Sequence, residues 1–217
     1  MSSESQAGRP APRVARRRAM TRERIVATAA RAFAAAGPDA VRLDEVADAA
    51  DIARGTLYSH FRTKDDLLCA IVEPVLQAAI GRTHALGRAT ARDGVERLLR
   101  LYLDLWHAYP DALRIAYKAQ DMPIGDLGRL HRAFTAGVLR VFGRARQAGI
   151  LRSGDPGLAG HVMRQVAVPL LELYGGHPDG DRLFVEGLRA LLLTGPPGEG
   201  GAAVSSRRSR GGTGRAS

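Results

Sequence analysis

Residues 43–68 of the chain read LDEVADAADIARGTLYSHFRTKDDLL. Leu43, Val46, Ala47 and Ala50 recur at helical spacing, with Asp44 and Glu45 where a helix N-terminus favours anions. Asp51 breaks the pattern. Leu57 and Phe61 then mark one face of a third short helix, Arg54 to His60, whose remaining positions are basic or hydroxyl-bearing. Thr63 follows as the N-cap of another helix, with Asp65 and Asp66 in its first turn. Two short helices joined by a tight turn, the second rich in hydrogen-bond donors, are the pattern of a helix-turn-helix whose second helix enters the major groove. Leu57 and Phe61 are expected beneath that helix as core.

The donor types fit DNA. Arg54, at the start of the second helix, has the fork geometry to reach guanine O6 and N7. Gly55 carries no side chain and lets backbone approach a duplex closely. Thr56, Tyr58, His60 and Lys64 are donors suited to phosphate oxygens, and Lys64 also lies in the first turn of the next helix, where free N–H groups attract anions.

The run from Val46-Ala47 and Ala50-Asp51-Ile52-Ala53 through Gly55-Thr56-Leu57-Tyr58, His60-Phe61 and Lys64 to Leu67-Leu68 resembles the signature of the TetR family of transcriptional regulators. The resemblance takes in the preceding helix, ending at Phe33 and Gly37. It implies an N-terminal three-helix DNA-binding domain, a C-terminal helical domain for dimerisation and ligand sensing, and a homodimer on a palindromic double-stranded operator. By family pattern, Thr56, Tyr58, His60 and Lys64 match phosphate-contacting positions and Arg54 a base-reading one. Three departures stand out. Asp51 replaces the usual turn glycine, although aspartate tolerates the left-handed conformation better than most residues. Ala53 replaces a capping serine or threonine, removing a contribution of about 1 kcal/mol. Arg42 replaces the threonine that usually opens the second helix; it cannot cap, but it can reach a phosphate. Asp44, on the same helix end, would repel phosphate unless it accepts from a cytosine amino group, and has no assignment.

The rest of the chain is also helical in pattern. Thr21 is the expected N-cap of a first helix carrying Ile25, Ala29 and Phe33 and stopped at Gly37-Pro38. Further helices are expected over Gly94–Ala108, Asp111–Gln120, Leu127–Gln147, Leu158–Tyr174 and Asp179–Leu193, with Pro74 and Pro169 as possible kinks. No segment alternates with period two, so the fold class is all-α.

The formal net charge is +10, from 32 Lys+Arg against 22 Asp+Glu over 217 residues. A basic chain favours polyanionic partners. The excess is uneven: Arg9, Arg13, Arg16, Arg17, Arg18, Arg22 and Arg24 face only Glu4 and Glu23 near the start, whereas Met20–Asp66 is nearly balanced. Non-specific attraction therefore sits largely outside the helix-turn-helix. The expected organisation is a disordered basic arm over 1–19, a DNA-binding domain over 20–66, an effector-binding and dimerisation domain over 67–194, and a disordered tail over 195–217. Arg16, Arg17 and Arg18 are read as DNA-contacting, since arginine favours a narrow minor groove.

The resemblance places a ligand pocket among the helices from Gly94 to Tyr174. Candidate lining residues are Tyr102, Trp106, Tyr109, Tyr117 and Met122, together with His131, Phe134, Met163 and Gln165. Each of them also reads as ordinary core. Arg114 and Arg164 lie among apolar neighbours and admit two readings, a partner for an acidic ligand group or a surface salt bridge. By family pattern the last two helices pair across a two-fold axis. Val166, Leu170, Leu183, Phe184, Leu188 and Leu191, with Leu171 and Leu192, supply the apolar surface expected there.

Cys69 is the sole cysteine, which excludes an intrachain disulfide or a cysteine-rich zinc site. The six histidines are never three or four residues apart, so no metal site is expected, and no cofactor either. No nucleophile–base pair, paired carboxylate or phosphate-binding glycine loop is present, so the chain does not read as an enzyme. It has no secretory signal and no apolar run long enough to span a bilayer, so a cytoplasmic protein without a membrane partner is expected. The combined expectation is a repressor released from its operator by a small-molecule effector; the alternative is a DNA-binding regulator or activator with no such effector.

Overall fold

The structure, a computed structural model, describes residues 13–86, 89–119 and 126–195. Among these the fold is all-α, with α1 (Arg13–Ala36), α2 (Leu43–Ala49), α3 (Arg54–His60), α4 (Lys64–Ala85), α5 (Ala91–Ala108), α6 (Pro110–Lys118), α7 (Leu127–Gln147), α8 (Pro156–Tyr174) and α9 (Gly180–Leu192). A single antiparallel bridge, Leu151 to Leu193, ties the α7–α8 connection to the segment after α9.

Local chemistry sets the boundaries. Gly37, at φ 88°, ends α1 and donates its N–H to the Phe33 carbonyl at 2.9 Å, a role that needs no Cβ. Thr63 and Asp66 form a capping box at the start of α4: the Asp66 N–H donates to Thr63 Oγ1 at 3.1 Å, and the Thr63 N–H to Asp66 Oδ2 at 3.0 Å. Thr90 caps α5 in the same sense, accepting from the Asp93 N–H. Asp155 caps α8 through the Gly157 N–H, with Pro156 in the first helical position. α4 and α8 continue through Pro74 and Pro169.

The first helix differs from expectation. It begins at Arg13, so Arg16, Arg17 and Arg18 are helical rather than part of an unstructured arm. Thr21 is not its cap but an interior residue whose hydroxyl donates to the Arg17 carbonyl. Arginine is a good helix former, and no glycine or proline interrupts 13–36, so the helix propagates into the basic stretch. Residues 1–12, Met122 and the tail beyond 195 lie outside the described residues.

Ile25, Ala29 and Phe33 of α1 pack with Leu57 and Phe61 over the start of α4, and the same apolar core runs on to Phe184 and Leu188 of α9. That continuity corrects part of the expected dimer surface. Phe184 and Leu188 are fully buried within the single chain, with Leu171 and Leu192 nearly so. Buried in this way, they are not available to a second subunit. Val166, Leu170 and Leu183 are half-buried, and Leu173 and Leu191 are exposed. On an amphipathic helix the apolar stripe facing the chain's own core is indistinguishable by composition from one facing a partner.

Candidate nucleic-acid interface and ligand cavity

The tight turn between α2 and α3 survives the absence of glycine. Asp51 adopts φ 51°, and the Ile52 N–H donates to the Ala47 carbonyl at 3.1 Å, closing the turn. Ala53 occupies the α3 N-cap with no side-chain bond. Arg42 holds the α2 N-cap through its backbone alone, donating its N–H to the Glu45 carboxylate at 3.0 Å.

α3 buries Leu57 and presents Arg54, Gly55, Thr56 and Tyr58 to solvent. A Cβ added at Gly55 would meet nothing within 4 Å, so no contact inside the chain demands glycine there. Arg54 is tied to Asp44, guanidinium to carboxylate, at 3.0 Å. This pair accounts for the aspartate that the sequence left unassigned.

Two arginines one turn apart on α1 lie alongside the end of α3. Arg18 donates to the Ser59 carbonyl at 3.3 Å, and the Arg22 guanidinium sits 5.0 Å from the centre of the Phe61 ring. His60 lies beside both. Its burial, followed by the charges of Arg18 and Arg22, holds its pKa below the ordinary value. Arg22 carried no assignment in the sequence. Its i, i+4 spacing from Arg18 was the available signal, but it became meaningful only once the helix was known to include Arg18. Arg16, Arg17 and Arg42 are exposed.

Lys64 has acceptors within the chain. Its ammonium donates to the Pro38 carbonyl at 2.8 Å, and more loosely to that of Asp39. It braces the α1–α2 turn from the first residue of α4, because those carbonyls come within its reach only when the three helices pack.

A cavity of about 260 Å³ lies among α4, α5, α6, α7 and α8. Tyr102, Tyr117, His131 and Phe134 line it. Four other candidates do not. Met163 is fully buried in the core, and Tyr109 is half exposed at the α5–α6 joint. Gln165 is exposed, and its backbone carbonyl accepts from the Tyr117 hydroxyl. Trp106 lines a separate small cleft near His107 and Asp181, under the Arg114 guanidinium, which sits 4.4 Å from its ring centre. Helical geometry explains the division. On α8 the lining positions are Gly157, Gly160, His161, Arg164 and Val168, one face at spacings of three and four, and positions 163 and 165 fall off that face. On α7 the face is His131, Phe134, Thr135, Val138 and Leu139.

Arg114 donates to Glu172 and to Asp111, each at 3.0 Å, and is the salt-bridge case. Arg164 lines the cavity, 3.3 Å from His161 Nδ1. Among the described residues no group of three His, Cys, Asp or Glu side chains is placed to hold a metal ion, and no helix is long and apolar enough to cross a membrane.

A three-helix unit with an exposed donor-rich third helix has the form of a helix-turn-helix DNA-binding module joined to a helical domain. Residues 25–71 match the family model of bacterial regulatory proteins, tetR family. Over these residues the chain resembles the DNA-binding region of that family of regulators. No curated protein matches the chain. Among solved structures, a probable transcriptional regulatory protein, RHA5900, is 25% identical with a TM-score of 0.67, covering 81% of this chain and all of its own. The ketosteroid transcriptional regulator KstR2 of Mycobacterium tuberculosis is 17% identical with a TM-score of 0.67, over 88% of this chain and 100% of that one. AibR, solved with isovaleryl coenzyme A and operator DNA, is 20% identical with a TM-score of 0.63, over 79% and 97%.

Proposed function

We propose that the protein is a homodimeric repressor that binds a palindromic operator through α3 and is released by a small molecule seated in the cavity. Arg54 reads a base edge. Thr56, Tyr58 and His60 hold phosphates, and Arg16, Arg17, Arg18 and Arg42 flank them. Exposed Leu173 and Leu191, with Val166, Leu170 and Leu183, supply the subunit contact, which sets two recognition helices about 34–36 Å apart on successive major grooves.

The observation that carries the effector reading is that the cavity shares walls with the helices that hold the DNA-binding unit. α4, which contributes Leu76 to the cavity, starts directly after the recognition helix. α6 lines the cavity with Leu113, Ala116 and Tyr117, and its last residue, Lys118, donates to the Ala34 carbonyl of α1 at 3.0 Å. A ligand that fits better when α4 and α6 are displaced shifts the population away from the spacing that fits DNA. AibR, which shares this fold, has been solved with both isovaleryl coenzyme A and operator DNA, in keeping with a chain that takes both kinds of partner. The test is recovery of genomic fragments bound by the purified protein, followed by a screen for compounds that release them. Fragments sharing a palindrome and released by a small molecule are the expected result. Tight binding that no compound relieves favours a regulator without an effector.

A further inference from the structure

We propose that the cavity takes a small uncharged molecule whose carbonyl oxygen accepts a hydrogen bond from the Tyr102 hydroxyl, with the rest of the molecule packed against hydrocarbon; this rests on the effector reading above.

Tyr102 lies in the middle of α5 and is only 8% exposed. The residues one turn away on either side, Leu98, Leu99, Leu105 and Trp106, are buried with it. Its ring packs against that of Phe134 on α7, centres 5.9 Å apart and tilted by 50°, which restricts where the hydroxyl can point. Among the described residues that hydroxyl has no hydrogen-bond partner. Nor is it sealed off: no side-chain oxygen among them is both unpaired and cut off from solvent-sized space. The hydroxyl therefore opens onto the cavity that Tyr102 lines. The other phenol on the wall, Tyr117, is already committed to the Gln165 carbonyl at 3.4 Å.

Buried polar groups are as a rule hydrogen-bonded, and an unpaired one loses its hydration without return. A ligand oxygen supplies the missing acceptor. A carbonyl suits the position better than a ligand hydroxyl, since two O–H groups paired with each other leave one hydrogen without an acceptor. Burial pushes the Tyr102 pKa well up and is its sole cause, so the phenol stays a neutral donor and no charged side chain acts on it. A charged ligand group placed there would lose its hydration with no opposite charge beside it. Leu76, Leu113, Val138 and Val168 give the remainder of the molecule apolar wall. The volume, about 260 Å³, falls below the roughly 300–1,000 Å³ of sites that take drug-sized ligands, so the ligand is small.

The test is calorimetric titration of the full chain with phenyl ketones from acetophenone to hexanophenone. Each is paired with the alkylbenzene that has CH2 in place of the carbonyl. Wild type and Tyr102→Phe are compared, and operator release is measured for the same compounds. Tyr102→Phe should weaken the best-fitting ketone roughly tenfold and leave its hydrocarbon partner unchanged, which also reports an intact cavity. The infrared carbonyl stretch of the bound ketone should lie lower in the wild type than in the variant. Without ligand, the variant should unfold at no lower a urea concentration than the wild type. Equal weakening of ketone and hydrocarbon overturns the proposal, as does a ketone affinity that survives Tyr102→Phe, benzoate binding as tightly as acetophenone, or no binding across the series. A lower urea midpoint in the variant also overturns it, by showing that the hydroxyl serves the chain itself. In those outcomes the effector reading still stands or falls on the genomic screen. Tyr102-dependent ketone binding that leaves the operator bound does the reverse: it upholds the site and removes the effector reading.

Discussion

Arg54 and Asp44 form an ion pair at 3.0 Å that joins the first residue of the recognition helix to the first turn of α2. The arginine side chain is 63% exposed, so the pair contributes about 1 kcal/mol or less to folding. It holds the guanidinium at the surface that would face a duplex, yet yields it readily to a stronger acceptor. It also neutralises a carboxylate that would otherwise confront phosphate.

Arg54→Ala should therefore cost about 1–3 kcal/mol on the operator and little on random DNA. Asp44→Ala should raise affinity for random DNA and lower the ratio of specific to non-specific binding. Anisotropy titrations on both DNAs at several salt concentrations measure this. Equal losses on both DNAs for Arg54→Ala remove its base-reading role.

The start of α3 offers a separation of folding from binding. Ala53→Ser supplies the missing cap and should stabilise the protein by about 0.5–1 kcal/mol. Gly55→Ala, with open space around the added Cβ, should also stabilise it, by roughly 0.5–1 kcal/mol, and yet weaken operator binding, because only the duplex approaches there. Urea midpoints and operator affinities, taken together, check both. A Gly55→Ala protein that binds normally excludes close backbone approach at this position.

His60 should make both stability and binding depend on pH. Its folded pKa is depressed from 6.5 by burial and by Arg18 and Arg22. The unfolded chain therefore takes up the proton first as pH falls, and the stability linked to His60, fully present above about pH 6.5, is lost as pH drops through the folded value. A DNA phosphate favours the charged imidazole, so operator affinity should rise over the same interval. Urea midpoints and operator titrations between about pH 5 and 8 should show opposite trends, both flattened in His60→Gln.

Lys118→Met removes the bond from α6 to the Ala34 carbonyl. Its effect on stability should be about 1 kcal/mol or less, but the ratio of operator affinities without and with a saturating effector should fall severalfold from the 5–150-fold range typical of such coupling. An unchanged ratio places the coupling elsewhere.

Leu191→Glu and Phe184→Ala should behave oppositely although both lie on α9. Leu191 is exposed and Phe184 fully buried. The first should yield a folded monomer by light scattering; the second should keep the subunit contact and lose about 3–5 kcal/mol of stability. A dimer unaffected by Leu191→Glu moves the subunit contact off this face.

Much of the DNA-binding unit was legible because helix-turn-helix chemistry is local. Leu57 and Phe61 sit one turn apart and both are buried, and by the same periodicity Gly55 and Thr56 fall on the opposite face; Arg54 and Tyr58 flank the buried side and are exposed. The turn at Asp51 and the uncapped Ala53 likewise followed from residue type. The contacts of Lys64 were not legible, because its partners, the Pro38 and Asp39 carbonyls, lie some 25 residues away. The cavity was half legible for a related reason. Residue type points to aromatic and polar side chains, whereas the lining is set by helix face, which admits Leu76 and Val168 and rejects Met163 and Gln165.

The sequence by itself determined the all-α class, the family signature and the outward face of the recognition helix, since each depends on spacing within a turn or two of chain. Only the tertiary structure decided that Asp44 holds Arg54, that Arg18 and Arg22 crowd His60, that Arg164 rather than Arg114 faces the cavity, and that Phe184 and Leu188 belong to the subunit's own core. Each of those outcomes turns on which helix packs against which. An amphipathic stripe declares that a face will be buried, but not the surface that buries it.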